Sequence, residues 1–412
     1  MRAITFDIST PKWVVCKTLG RLAKGVFWGP LSTLRLRDVP EPPLPGNDWV
    51  RVRPRMGGIC GSDVGMILLK NPPDSFGRAL LIEPLILGHE NVSVVTECGP
   101  AVTGVAEGQR VNVDPVLACA ARGLEPCPSC RAGQFCACYS QAEGKEGLGF
   151  SVGHSGAVGG SWADSFVAHV SQLVPVPECL TDEQAVLVDA LSAAVHAVLR
   201  RPPTDEDQDV LVFGCGIIGL GVIAFLRAWG FKGRLLAVAR YAFQKSLALH
   251  LGADEVWDRH DLAEKDYFTR LAEMYRLRTV QGMFGRPVLL GGVDLVYDAI
   301  GNRASLDQSI RSVRSQGTVA LIGMGHPRWL DWDPIPHKQL TVAGSHGRGI
   351  DEWQGRRWHT YEIVQTLMTQ GHFPADKLLT HVFPLEEYKT ALEVLTHKGR
   401  HGAVHAAFRV SE

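Results

Sequence analysis

Apolar and polar positions alternate along the first part of the chain and then change rhythm. Residues 3–8, 34–39 and 49–54 alternate as half-buried strands do. The stretch 11–30 interrupts the first two with Trp13, Phe27 and Trp28. It reads as a surface hairpin packing its aromatics on the sheet, with an insertion beside a substrate as the alternative. Short strands broken by glycine and proline continue to about residue 176, which predicts an all-β, barrel-like region. At Thr181-Asp182-Glu183-Gln184 a capping box opens the apolar run 185–199, a helix. After a polar link at 202–208, the run Asp209-Val210-Leu211-Val212-Phe213 has the uniform apolarity of a strand buried on both faces. Helical and strand periods then alternate to about residue 344, as in a doubly wound α/β domain with a parallel sheet. Helical stretches at 361–369 and 385–396 follow.

Length and charge narrow the picture. The 412 residues exceed what one core usually supports, so two domains are expected. Lys plus Arg number 42 against 43 Asp plus Glu, without a charge run, which argues against nucleic acid or an anionic membrane as partner and for a small-molecule substrate. The start of the chain has no apolar signal core, and no uninterrupted apolar stretch is long enough to span a bilayer, so a cytoplasmic protein is expected. Five of the ten cysteines fall between 119 and 138, a density that suggests metal binding in a reducing compartment.

Four motifs carry chemistry. In Met56-Gly57-Gly58-Ile59-Cys60-Gly61-Ser62-Asp63 a thiol and a hydroxyl sit between glycines, and Gly88-His89-Glu90 follows with an imidazole beside a carboxylate. Thiolate, imidazole and carboxylate are the ligands zinc takes. Cys119, Cys127, Cys130, Cys136 and Cys138 offer five thiols, of which four close a tetrahedral, structural zinc shell. We expect Cys119, Cys127, Cys130 and Cys138, with Cys136 spare. Gly214-Cys215-Gly216-Ile217-Ile218-Gly219 follows a strand and opens a helix, the setting in which a glycine-rich turn receives a dinucleotide pyrophosphate. The next strand ends at Ala239-Arg240 without the carboxylate that reads an NAD ribose, and Lys245 stands about one turn on. This predicts NADP(H) in preference to NAD(H). Asp189 lies within an apolar helix, where a carboxylate needs a partner, either a metal ion or an Arg or Lys. His196, two turns along, reads as a hydrogen-bonded core histidine.

Together these residues resemble the medium-chain dehydrogenase/reductase superfamily, specifically its zinc-dependent alcohol, polyol and threonine dehydrogenase-like branch, over nearly the whole chain. The resemblance implies a GroES-like catalytic barrel split around a Rossmann domain, here 1–190 with 345–412 around 191–344. It implies Cys60, His89 and Glu90 at a catalytic zinc, Ser62 as the hydroxyl that passes on the substrate proton, and the four-cysteine lobe as a structural zinc loop. Seven residues separate Cys119 from Cys127 where the family usually has two. Asp189-Ala190 stands where polyol-type members have a glutamate, usually followed by proline, and Asp189 is expected as the remaining catalytic ligand, directly or through water. Gly65 occupies the place of a histidine that often ends the proton relay, leaving Asp63, a ribose hydroxyl or water. The implied activity is hydride transfer between NAD(P) and an alcohol or carbonyl compound, favouring a secondary alcohol such as a polyol, sugar, cyclitol or amino alcohol. Aromatic side chains such as Trp28, Phe150 and Trp162 also suit a larger apolar substrate. A same-fold enzyme using the nicotinamide as an internal catalyst and a non-catalytic dinucleotide-binding protein are the alternatives. Family members form homodimers and homotetramers.

Overall fold

The computed structural model describes residues 1–412 except 8, 145–147, 260–263, 328 and 412. The chain divides into two compact units, Met1–Ser192 with Arg348–Glu412, and Ala193–Gly347.

The first unit is organised on the strand Trp49–Gly58, which is fully buried at alternate positions along much of its length. It pairs antiparallel with Asn91–Cys98, with Phe166–His169 and with His405–Arg409. Arg110–Val113, Leu173–Pro175 and Leu379–Pro384 extend this to a seven-stranded sheet. Register shifts at Arg51/Val52 and Pro54/Met56 mark bulges, which bend a strand and increase its twist. The expected strand at 3–8 is Arg2–Phe6, between Leu34–Asp38 and Leu85–Ile86, and Ile8 lies outside the described residues. The 11–30 interruption is not a hairpin. It forms the helix Thr10–Leu19 and a 3-10 turn Lys24–Phe27, because Pro11 suits a helix start. Phe27 and Trp28 pack in one core cluster with Ile59, Met66 and Leu69.

The second unit is a six-stranded parallel sheet in the order Glu255–Asp258, Arg234–Ala239, Asp209–Phe213, Val293–Asp298, Val313–Leu321, Thr341–Gly344. Val210, Leu211, Val212 and Phe213 are at most 1% exposed, as expected for a central strand covered on both faces. Strand order reverses beside Asp209–Phe213, the switch point at which open α/β sheets bind ligands. Among the described residues no helix is long and apolar enough to cross a membrane.

Candidate active site and metal centres

Cys60 ends the segment that continues Trp49–Gly58 and stands at the N-cap of the helix Gly61–Ile67. Its N–H donates to Asp63 Oδ2 at 3.0 Å, which holds the thiol at the helix start. His89 and Glu90 immediately precede Asn91–Cys98, and the register Gly57↔Asn91 carries them to the same end of the sheet. Two glycines make this approach possible. A Cβ on Gly58 would lie 2.1 Å from Glu90 Oε2, and Gly88 has φ +93° with Trp162 Cδ1 at 2.2 Å from where its Cβ would be. The Trp162 indole N–H donates to Gly58 O at 2.8 Å and locks the wall behind the site.

Ligand atoms of Cys60, His89 and Glu90 all lie within 4.8 Å of one another. Glu90 Oε2 is 2.7 Å from His405 Nε2, while Glu90 Oε1 is buried without a hydrogen-bond partner. His89 Nδ1 lies 3.4 Å from Asp63 Oδ1. Burial pushes the Cys60 thiol up. Burial alone would lower His89, but the charge and hydrogen bond of Asp63 hold it well above its ordinary value. Burial would likewise raise Glu90, yet His405 and His89 bring it below the usual carboxylate range. A sulfur, a nitrogen and a free carboxylate oxygen converging in a buried space fit a tetrahedral zinc with three protein ligands and one open position. Ser62, half-buried in the first turn of the same helix, is the neighbouring hydroxyl.

Asp189 is near enough for His89 and Glu90 to act on its carboxyl, and other side chains engage it as well. Its Oδ1 and Oδ2 lie 2.9 and 3.1 Å from Arg348 Nη1 and Nη2, and the Tyr361 hydroxyl also donates to it. Arg348 reaches Asp114 as well, at 3.5 Å, and Asp114 Oδ2 is 3.1 Å from His359 Nε2. A shorter carboxylate held bidentately by guanidinium has both oxygens engaged, which favours the ion-pair reading over the metal-ligand one.

The structure brings Cys119, Cys127, Cys130 and Cys138 into a second group within 4.8 Å, with Cys119 and Cys138 sulfurs 3.5 Å apart. Backbone N–H groups of Cys127, Tyr139 and Ser140 point at the sulfurs of Cys119, Cys127 and Cys138. Such donors favour thiolates. Four thiols and no other ligand suit a closed structural zinc. Cys136 faces elsewhere and accepts the Arg348 N–H at 3.4 Å.

In the second unit Gly214 has φ +93°, and a Cβ on Gly219 would lie 1.7 Å from Gly214 O, so turn and helix touch backbone to backbone. Gly216 caps the helix Ile217–Trp229, whose first residues, Ile217 and Ile218, are half-buried. The free N–H groups there, with the dipole's positive end, suit an anionic group such as a phosphate. Ala239 is buried at the end of Arg234–Ala239. The exposed Arg240 guanidinium lies over the Tyr241 ring, 5.3 Å from its centroid, and Lys245 is half-buried in the helix Ala242–His250.

Residues absent from the sequence reading also reach the first site. His154 Nδ1 is 2.8 Å from Ser151 Oγ, its ring lies 5.2 Å from that of His89, and one of its nitrogens groups with Asp63 and His89 within 4.8 Å. Gly153, at φ +81°, lets this loop lie on Gly88, whose carbonyl oxygen would be 2.4 Å from a Cβ. His405 comes from the far end of the chain and no local motif announces it. Asp63, one of the three proton exits expected beyond Ser62, faces His89.

Residues 46–178 match the alcohol dehydrogenase GroES-like domain, and residues 218–361 match the zinc-binding dehydrogenase model. The chain is 28% identical to L-threonine 3-dehydrogenase of Xanthomonas campestris pv. campestris over 370 residues, 90% of this chain and 94% of that one. It is also 28% identical to the probable D-xylulose reductase A of Aspergillus terreus, with coverages of 90% and 94%. Among solved structures, 2R,3R-butanediol dehydrogenase from Bacillus subtilis matches with TM-score 0.66 and 26% identity, over 92% and 96% of the two chains. Alcohol dehydrogenase TADH from Thermus sp. ATN1 shares the fold at TM-score 0.73 and 23% identity over the whole of both chains.

Proposed function

We propose, from the premise that this chain belongs to the zinc-dependent medium-chain dehydrogenase/reductase superfamily and is an NAD(P)-dependent alcohol oxidoreductase, that its substrate is a small secondary alcohol or the matching ketone. The relatives named for threonine, xylulose and butanediol all point to a hydroxyl on an internal carbon. The observation that carries the reading is the buried donor group Cys60, His89 and Glu90 with Glu90 Oε1 left unpartnered.

Cys60, His89 and Glu90 would hold a zinc whose Lewis acidity would lower the pKa of a bound alcohol, and nicotinamide would supply the hydride acceptor. This chain's own residues do the remaining work. Asp63 Oδ1 faces His89 Nδ1 at 3.4 Å, which would turn the other ring nitrogen to the metal side. His405 holds one Glu90 oxygen. Ser62 Oγ takes the substrate proton and passes it on. Asp189 serves as an anchor for Arg348 rather than as a ligand. Cys119, Cys127, Cys130 and Cys138 would hold a second zinc.

Arg240 and Lys245 support a preference for NADP(H) through a 2′-phosphate. The strand Thr341–Gly344 is an open sheet edge with Val342 exposed, which suits pairing with a second copy, as homodimer or as half of a homotetramer. Thiols committed to metal call for a reducing compartment, and we assign the protein to the cytoplasm.

The test follows reduced-nicotinamide absorbance over a panel of primary and secondary alcohols and their carbonyl partners. Turnover of secondary alcohols, lost in Cys60→Ala, is the expected result. Turnover of primary alcohols alone, or product without net absorbance change, rejects the proposal.

A further inference from the structure

The even charge total of the chain, which argues against an anionic membrane as partner, hides one uneven stretch. Between Asp7 and Asp38 stand Lys12, Lys17, Arg21, Lys24, Arg35 and Arg37 without a single Asp or Glu, so the remainder of a chain with formal net charge -1 carries -7. The same stretch contains the segment before Leu34, to which the alcohol chemistry gives no role. Its helix Thr10–Leu19 is turned the wrong way round for an element that faces water. Cys16 is buried, Trp13 and Lys17 are half-buried, and Trp13 packs against the cluster that holds Phe27, Trp28 and Met66. At 3.6 residues per turn these three share the inner face, so Val14, Val15, Thr18 and Leu19 turn outward. All four are exposed, Val14 by 51%. A surface helix ordinarily carries its charges on that face. Here Lys12 stands at the margin of the face, and Lys17 reaches inward to donate to Leu69 O.

Beyond the helix the same pairing of apolar side chains and cations continues on a fixed base. Leu22 is 86% exposed between the exposed Arg21 and Lys24, in a turn whose Leu22 N–H donates to Leu19 O at 2.9 Å. The Cys16 thiol donates to Leu31 O at 3.5 Å, which places a further exposed leucine against the helix. A Cβ on Gly20 would lie 2.3 Å from Phe27 Cζ, so the helix end and the turn Lys24–Phe27 touch. Lys24 Nζ donates to Thr396 O at 3.1 Å, and the Arg35 guanidinium donates to Gly29 O and Leu34 O at 3.0 and 2.7 Å. These partners are backbone carbonyls, which orient the cations without cancelling their charge.

We propose that residues 10–31 dock the protein on an anionic phospholipid surface. The helix lies in the plane of the interface and does not span it. Val14, Leu19 and Leu22 enter the headgroup region, while Lys12, Arg21 and Lys24 meet the lipid phosphates. An apolar face edged by lysine and arginine is the chemistry of such interfacial elements, in which burial of the apolar side chains and attraction to anionic lipid add to one another. Charge decides against a second copy as the occupant, because pairing this face with itself sets like charges against like. The docking is independent of the metal centres and of the alcohol chemistry.

Co-sedimentation of the zinc-loaded, full-length protein with lipid vesicles tests the docking without any turnover. Vesicles of equal parts phosphatidylcholine and phosphatidylglycerol should bind at least tenfold more tightly than vesicles of phosphatidylcholine alone. That binding should fall as salt rises from about 0.1 M toward about 1 M. Leu22→Ser, and Lys12→Gln combined with Arg21→Gln, should each weaken it about tenfold, while Leu290→Ser, at an exposed leucine of the other unit, leaves it unchanged. The substituted side chains are all exposed, so these variants keep the fold. Equal binding to both kinds of vesicle, or wild-type affinity in both N-terminal variants, overturns the proposal. Heparin binding tighter than vesicle binding and indifferent to Leu22→Ser overturns it in favour of a polyanion without lipid. Self-association in sedimentation velocity that Leu22→Ser abolishes, with no vesicle binding, overturns it in favour of a second copy.

Discussion

Arg348→Met removes the charge that faces Asp189 while keeping an apolar stem of similar reach. The pair is bidentate, at 2.9 and 3.1 Å, with the side chains 8% and 6% exposed. Once it is broken, Asp189 retains the Tyr361 hydroxyl as its remaining side-chain donor among the described contacts, and Asp114 also loses a positive neighbour. Taking one partner from a buried pair costs about 3–5 kcal/mol. At about 2–4 °C per kcal/mol for a unit of this size, Tm falls by roughly 6–20 °C. Burial already pushes the Asp189 carboxyl above its ordinary range against the pull of Arg348, so removing Arg348 raises it further. The variant's folded state then holds a proton that its unfolded state has given up. Its stability therefore falls as pH rises above the ordinary carboxylate value of about 3.9, until the raised folded value is passed. The gap from wild type should accordingly narrow as pH is lowered from neutrality, and Asp189→Asn combined with Arg348→Met should recover part of the loss. Thermal unfolding across pH measures this, and zinc analysis of Asp189→Asn completes it, with the wild-type metal content expected. An Arg348→Met protein as stable as wild type at neutral pH, or an Asp189→Asn protein lacking one zinc, would refute the reasoning.

Asp63→Asn takes the charge that faces His89 Nδ1 and should weaken zinc about 10–100-fold in chelator competition; an unchanged affinity would remove Asp63 from the metal's support. Cys127→Ser should lower zinc by one equivalent per chain while Cys60→Ala removes the other, and a shared loss in either variant would contradict two separate centres. Gly219→Ala places a Cβ 1.7 Å from Gly214 O and should raise the NADPH dissociation constant at least tenfold by fluorescence titration; wild-type binding would mean that the turn does not hold the phosphates. Arg240→Ala should cut the ratio of kcat/KM for NADPH over NADH about tenfold, equivalent to about 1.4 kcal/mol, and a wild-type preference for NADH would discard that assignment.

What could be read from the chain was what neighbouring residues decide. Gly214, Gly216 and Gly219 follow an apolar strand and open an apolar helix, so the glycine turn and its surroundings explain one another within a few positions. The Cys127 and Cys130 spacing is equally local. Partners brought together by the sheet had no such signal. Arg348 meets Asp189 across 159 positions, and His405 meets Glu90 across 315. Periodicity therefore exposed a buried carboxylate in need of a partner but could not choose between metal and guanidinium. The segment 11–30 is ambiguous in sequence because its aromatics fit either a hairpin or a helix. Pro11 and the cluster holding Phe27 and Trp28 favour the helix.

The pairing of Trp49–Gly58 with His405–Arg409 has a consequence during synthesis. The unit Ala193–Gly347 is continuous in sequence and is complete once its own last strand leaves the ribosome. The unit carrying Cys60 and Glu90 must wait until synthesis has run 315 positions past Glu90, because the strand that supplies His405 closes its sheet. Until then the Met56–Gly58 end of that strand presents unpaired backbone on one side, and the thiols near both metal positions stand in an unfinished unit. Nascent chains truncated before His405 should for this reason depend on chaperones far more than full-length chains do.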